Sequence, residues 1–371
     1  MALNPEQYRL SEADHEAIFQ TYIKPQVFAL ATPVDHPVAV IFGGQPGAGK
    51  SRAVDDALDD LNAKGGAVQI IGDDLRGYHP AYDALLSKDD KTAAFYTDRD
   101  TGKWVEKCIA HAKEQRVNVV IEGTMRNSDI VAATMNDFRS AGYEIDARAL
   151  AVNFRLSEQG ILQRYENQKI DRGTGRMTTA KAHQDAYDGM PVTVERIERE
   201  RLADRITIYK RGGDAIYTNA LENGQWRNPP QARAVLDTER ARPMTLEERR
   251  DYAAGFDRLA ELQARPGRNA TDAEREPLAV LRERAHNSVK AEVFRRFAAK
   301  DVLAVYPELA GAYEADAAIA KRLQGYSGTP ERRAEIAARG REFIASRIER
   351  GRAPQSPCIS KPAPRDVDQD R

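Results

Sequence analysis

Sulfur chemistry has little to work with in this chain, which carries only two cysteines, Cys108 and Cys358, in 371 residues. Cys108 falls in a stretch of helical pattern and Cys358 in a Pro-rich tail. That placement argues against a structural disulfide and for a reducing compartment. The six histidines, His15, His36, His79, His111, His183 and His286, are scattered. None stands near another histidine or a cysteine at metal-ligand spacing, which argues against a structural zinc site. Surplus charge of either sign is also missing. Lys and Arg number 56 against 57 Asp and Glu, so no overall field points to nucleic acid or to an anionic membrane, and neither is an expected partner. Long apolar runs are absent as well. Residues 38–42 (VAVIF) are far too short to span a bilayer, and the opening MALNPEQYRL has no signal-peptide core. A cytoplasmic protein is expected.

What is present is the composition of a soluble globular protein, with 41% hydrophobic and 30% charged residues. The length fits one enzyme-sized domain and something more. Residues 11–22 read as a helix opened by an S-x-x-D cap at Ser11 and Asp14, and a Pro-containing connector comes next. Apolar runs at 38–42, 68–71, 117–121 and 147–152 read as strands. Between them, residues 51–61, 103–114 and 128–141 carry helical spacing, and so do 157–170 and about 179–202. Alternating strands and helices predict a parallel α/β sheet. Residues 205–209 and 215–218 are expected to form an edge hairpin around Gly212 and Gly213. Residues 223–230 (NGQWRNPP) read as a domain boundary.

Beyond that boundary strand signals stop. Thr245 with Glu248, and Thr271 with Glu274, form capping-box patterns, and Thr329-Pro330 opens another helix. The organisation predicted is an N-terminal helix and connector (1–37), an α/β domain (38–222), a helical accessory domain (242–351) and a disordered, Pro-rich tail (353–371).

One motif carries chemistry. Gly44-Gln45-Pro46-Gly47-Ala48-Gly49-Lys50-Ser51 comes after a strand, precedes a helix and matches the phosphate-binding P-loop. Glycines let the backbone wrap close around phosphate with its N–H groups turned inward, at the positive end of a helix. Lys50 offers a cation to the β- and γ-phosphates, and the Ser51 hydroxyl a ligand to Mg²⁺. A nucleoside triphosphate, ATP with Mg²⁺, is the expected ligand.

The acceptor is indicated by four segments beyond the P-loop. GDD at 72–74 before His79-Pro80, VVIEGT at 119–124, QRYE at 163–166 and GRMTTAKAH at 175–183 occur in that order. Together with the P-loop they closely resemble the zeta toxin family over about half of the chain. The resemblance implies a P-loop kinase-like fold, a parallel sheet sandwiched by helices. It also implies transfer of the ATP γ-phosphate to the 3′-hydroxyl of the amino sugar of UDP-N-acetylglucosamine, and a small helical antitoxin as partner. Residue by residue, it places the general base on Asp73 and the sugar-nucleotide contacts on Glu106, Glu122, Thr124 and Arg126. Two phosphate-reaching arginines fall on Arg164 and Arg176. One departure is Ile71, where the family more often has an aspartate two positions before the base.

Each role has a plainer counterpart. Asp73 or Asp74 can cap a helix, Glu122 can be an ordinary charge leaving a strand, and Arg164 and Arg176 can be solvated surface cations. Adjacent residues leaving a strand point in opposite directions, so only one of Asp73 and Asp74 is expected to face the acceptor. The spacing to His79-Pro80 selects Asp73, leaving Asp74 to cap the next helix or to order the Mg²⁺ shell. His183 reads as structural. A P-loop kinase of another small hydroxylated acceptor, or an ATP-dependent regulatory module without catalysis, are the competing readings. The helical region reads as a structural or docking module, or as a tethered inhibitor.

Overall fold

The computed structural model describes Asn4 and residues 6–354. The expected disordered tail lies, past residue 354, outside the described residues. The chain opens on α1 (Glu12–Ile18), where the Ser11 hydroxyl accepts the Asp14 N–H as the cap spacing predicts. It continues through a π turn (Phe19–Ile23) into α2 (Lys24–Val27). This segment is packed rather than free. Trp104 Nε1 donates to the His15 carbonyl at 3.1 Å, and Phe19 and Ile23 are buried in the main core.

Strand and helix then alternate: β1 (Val38–Gly43), α3 (Ser51–Asn62), β2 (Val68–Ile71), α4 (Gly72–Leu75), α5 (Tyr82–Lys88) and α6 (Ala93–Gln115). They continue as β3 (Val119–Glu122), α7 (Ser128–Ser140), β4 (Glu144–Ala151), α8 (Phe154–Arg172) and α9 (Ala180–Glu200). β5 (Arg205–Lys210), β6 (Ala215–Glu222), β7 (Gln225–Trp226) and α10 (Ala232–Ala241) complete the series. The sheet order is β2-β3-β1-β4-β5-β6-β7, with the first five strands parallel and the last two antiparallel. Both faces of β1 are covered, which is why it reads as an unbroken apolar run. Ala39 and Ile41 join a core with Trp104, Phe138 and Met190, while Val40 and Phe42 pack with Val54 and Leu61 of α3. Fully buried Phe42 and Ile70 each stabilise the sheet by about 2 kcal/mol. The α/β sandwich and the edge hairpin are as expected.

Three boundaries differ, each for a local reason. β4 starts at Glu144 rather than 147, because two charged residues enter the core as a pair. Arg148 Nε donates to Asp146 Oδ2 at 3.0 Å. β3 starts at Val119 because Asn118 is a polar latch. Its Oδ1 accepts the Val38 N–H at 2.8 Å, and its Nδ2 reaches the Lys64 and Gly66 carbonyls at 2.9 Å. α6 begins at Ala93, ten residues before the apolar spacing shows, since beyond the small Ala93 its first turns bury Thr97, Asp100 and Thr101 rather than large aliphatics. α9 is one helix that continues through Pro191. The Tyr187 carbonyl, which a prolyl nitrogen at position 191 cannot serve, takes Arg240 Nη1 at 2.7 Å.

The expected boundary at 223–230 is a second hairpin. Asn223 and Gly224 have φ of 52° and 75°, the left-handed pair of a tight two-residue turn. Trp226 Nε1 then donates to the Glu198 carbonyl at 2.7 Å. The first compact unit therefore runs to Pro243 and also takes Leu262–Asn269, while the second holds Met244–Glu261 and the chain from Ala270 on.

Among the described residues, the second unit is helical. It draws on α11 (Leu246–Ala264), α12 (Asp272–Arg296), α13 (Ala299–Val302), α14 (Ala310–Leu323) and α15 (Pro330–Glu349). All three expected caps form, at Thr245, Thr271 and Thr329. Phe294 and Tyr313 pack at 4.9 Å between centroids, with Ile344 and Ile348 also buried. Many of its charges are paired: Arg295 Nη2 lies 2.9 Å from Glu342 and 3.4 Å from Glu349.

Candidate active site

The phosphate loop joins β1 to α3. Gly47 and Gly49 have φ of 76° and 84°, and a Cβ on Gly47 would run into the Ser157 carbonyl. Only glycine fits there. Lys50 comes next, almost fully buried, with Nζ 2.9 Å from the Gly44 carbonyl and 3.4 Å from Glu122 Oε1. Burial pulls its ammonium below the ordinary lysine value and Arg164 adds to this, while Glu122 and Asp73 oppose it. Ser51 opens α3 and is exposed, Pro46 lines the cleft beside the loop, and Ala48 is buried.

Gln45 does not face the cleft. Its side chain is fully buried, with Nε2 donating to the Val152 carbonyl (2.8 Å) and Ser157 Oγ (3.2 Å), and Oε1 accepting from Arg240 Nη2 (2.9 Å). Ser157 Oγ also shares a hydrogen bond with His183 Nε2 at 2.8 Å. His183 thus serves the loop's foundation. Burial, with Arg240 nearby, holds its ring below the ordinary histidine value and so neutral.

Parallel register brings three strand ends together, with Glu122 opposite both Phe42 of β1 and Ile71 of β2. Asp73 lies just past β2 and lines the cleft; Asp74 does not. Their separation has a different cause from the one expected. Both sit in the first turn of α4, about 100° apart around a helix rather than on opposite sides of a strand. Asp74 caps nothing, since α4 has Ile71 at its N-cap position. The Asp73 carboxylate is gripped by both terminal nitrogens of Arg176, with Arg76 Nε at 3.5 Å and Arg164 Nη1 at 3.9 Å.

Thr124 and Arg126 line the same cleft, and the turn carrying them is pinned where Thr193 Oγ1 donates to the Met125 carbonyl at 2.6 Å. Arg164, on α8, donates to Thr178 Oγ1 at 2.7 Å, and its buried Nε has no hydrogen-bond partner. Burial and the neighbouring Arg176 lower its guanidinium from the usual value. The cleft encloses about 440 Å³. Glu106 is not part of it. It is exposed on α6, whose Thr101 and Val105 face the cleft. Arg76, Lys91 and Phe95 do line it and were not anticipated. Only Arg76, three residues after Asp73 on helical spacing, had a readable signal.

This constellation of a cradle, a buried ammonium, two carboxylates and two convergent guanidinium groups suits binding and transfer of a phosphoryl group. Comparison with known proteins agrees with it. The family model described as zeta toxin matches residues 26–222, just over half of the chain. Toxin PezT of Streptococcus pneumoniae serotype 4 (strain ATCC BAA-334 / TIGR4) is 31% identical over 182 residues, 49% of this chain and 71% of that protein. Toxin zeta of Enterococcus hirae is 29% identical over 187 residues, 50% of this chain and 65% of its own length. The chain thus spans roughly two thirds of these relatives. Among solved structures, the fold is shared with a chain from the PezAT chromosomal toxin-antitoxin system of Streptococcus pneumoniae. That match has a TM-score of 0.59 at 24% identity and covers 70% of this chain and all of the other. By motif order, fold and match, this chain belongs to the zeta toxin family.

Proposed function

We propose that the chain is an ATP-dependent kinase that phosphorylates a hydroxyl of a sugar nucleotide, the 3′-hydroxyl of UDP-N-acetylglucosamine, as the toxin of a toxin–antitoxin pair. The observation that carries this reading is the convergence of Lys50, Asp73, Glu122, Arg164 and Arg176 in one cleft. The P-loop backbone and Lys50 hold the ATP phosphates. Arg164 and Arg176 answer the charge spread over the transferring group, for which planar guanidinium donors are well shaped. The unpartnered Arg164 Nε supplies an N–H that a phosphate oxygen satisfies. Asp73 takes the hydroxyl proton as the bond to phosphorus forms. Phosphate oxygens compete with Asp73 for Arg176, so nucleotide binding frees the base from its ion pair.

Among the described residues no three His, Cys, Asp or Glu cluster to hold a metal. Mg²⁺ bound chiefly through phosphates and water needs no such cage, and the Ser51 hydroxyl at the loop's end is where this chain would hold it. When bound, the ion neutralises charge on the β- and γ-oxygens. On the acceptor side, Thr124, Arg126 and Lys91 offer a hydroxyl and two cations to a diphosphate sugar. PezAT is a toxin-antitoxin system, and a small helical antitoxin is the corresponding partner proposed here. The cytoplasm, where ATP and UDP-sugars meet, is the proposed location; no helix among the described residues is long and apolar enough to cross a membrane.

The test is to incubate the protein with ATP, Mg²⁺ and a panel of UDP-sugars, aminoglycosides and oligonucleotides, and to weigh the products. Added phosphate on UDP-N-acetylglucosamine is expected. Phosphate on another class alone overturns the acceptor, and none at all overturns the kinase reading in favour of a regulatory module.

A further inference from the structure

Outside the reacting constellation, one buried carboxylate touches the neighbours of both cleft arginines. Asp90 lies in the turn between α5 and α6 and is 9% exposed. Its Oδ2 accepts the backbone N–H of Gly175 at 3.3 Å and the Tyr165 hydroxyl at 3.2 Å, and it pairs with Lys169 Nζ at 2.7 Å. Gly175 immediately precedes Arg176, and Tyr165 comes immediately after Arg164. A single carboxylate thus fixes the residue beside each guanidinium.

The packing leaves no slack at this point. A Cβ on Gly175 would come within 2.6 Å of the Tyr165 carbonyl oxygen, so the loop over residues 173–179 is pressed directly on α8. Two further contacts complete the seating. The Arg176 N–H reaches Gln168 Oε1 at 2.8 Å, and Arg164 reaches Thr178 Oγ1 at 2.7 Å. The residue after Asp90 is Lys91, which lines the cleft. A carboxylate is costly to bury unless donors surround it, and here the donors come from the loop and from the helix that must meet.

We propose that Asp90 is a positioning residue that seats the 173–179 loop on α8 so that Arg164 and Arg176 converge. Its consequence for turnover rests on the kinase reading; the seating itself does not. It acts through Arg176, so its effect depends on Arg176 being present.

The experiment has two arms on the full chain. In the first, trypsin cleavage after Arg172 or Arg176 is timed for the native protein and for Asp90→Ala, with the melting temperature as control. Cleavage at least about fivefold faster, with the melt little changed, is expected, because protease reports the opened population of the loop. Unchanged cleavage overturns the proposal. In the second, single-turnover transfer is measured in a cycle with Arg176→Ala. Asp90→Ala is expected to slow transfer about 10- to 100-fold in the native background, the scale of a misplaced group. On top of Arg176→Ala it should cost less than about threefold. Equal losses in both backgrounds overturn the proposal, since a general structural defect does not need Arg176. If the native protein transfers no phosphate the kinase reading fails, and the cleavage arm still decides the role of Asp90. If Asp90→Ala does not fold, Asp90→Asn carries the test. It loses the ion pair with Lys169, and cleavage should rise about twofold; no rise overturns the proposal.

Discussion

Arg240 Nη2 donates to Gln45 Oε1 at 2.9 Å, joining residues 195 positions apart in the chain. The same guanidinium lies 3.9 Å over the Tyr187 ring and serves the Tyr187 carbonyl left open by Pro191. Burial pulls it down to about 10. The P-loop is therefore buttressed by a helix beyond the family match at 26–222.

Arg240→Met should be destabilising, because it leaves two acceptors, the buried Gln45 Oε1 and the part-buried Tyr187 carbonyl, short of a donor. A loss of about 2–4 kcal/mol is expected from urea unfolding, at about 1–3 kcal/mol per orphaned acceptor less the burial cost of the charge itself. The KM for ATP should rise at the same time. A neutral effect on both would show that Gln45 holds the loop without help.

Lys50→Ala should abolish phosphoryl transfer while leaving the melt intact. Asp73→Asn should slow single-turnover transfer at least about a hundredfold, the scale of a general base, and should hold ATP no more weakly, since it releases Arg176. Asp74→Asn should lose far less. Weaker ATP binding in Asp73→Asn would show that the carboxylate orients the arginines rather than yielding them.

His183 gives a pH signature in stability. Its folded value lies below the ordinary 6.5, so below pH 6.5 the unfolded chain takes up a proton that the folded chain refuses. The stability that neutral His183 provides is present above that pH and is lost as pH falls through the folded value. The drop in urea midpoint between pH 7.5 and 5 should be smaller in His183→Gln than in the native protein. Identical drops would place the titration elsewhere.

Glu166 and Arg268 form a buried pair within the first unit, with Nε–Oε2 at 2.7 Å and Gln263 Nε2 donating to Oε1 at 3.0 Å. Arg268→Met alone should cost about 3–5 kcal/mol by stranding the carboxylate. Glu166→Met with Arg268→Met should recover most of it. If the double variant is as unstable as the single, the helix needs the charge for another reason.

The parts legible in the sequence are those that short range dictates. VAVIF, the P-loop glycines and the capping threonines announce themselves through local sterics and periodicity, and the fold and cradle arise from them. What stayed hidden was polar and distant. Asp146 with Arg148 masked the start of β4, and Asn118 shortened β3. Asn223-Gly224 is a hairpin signal, but the prolines that come after it give the same segment the look of a linker. Gln45 is a P-loop residue by pattern, yet it turns inward, because its partners Ser157 and Arg240 are far along the chain. Asp90 had no motif at all. Its meaning depends on Tyr165 and Gly175 meeting in space.

The Glu166 pair also sets a clock. α8, which carries Arg164, is made early, but the residue that neutralises its buried carboxylate comes 102 positions later. At about 5–20 residues per second of synthesis, a nascent chain waits roughly 5–20 seconds between the two. Through that interval the ribosome holds α8 with an unpaired carboxylate in it, and the first unit becomes whole only after the chain has passed through Met244–Glu261 of the second.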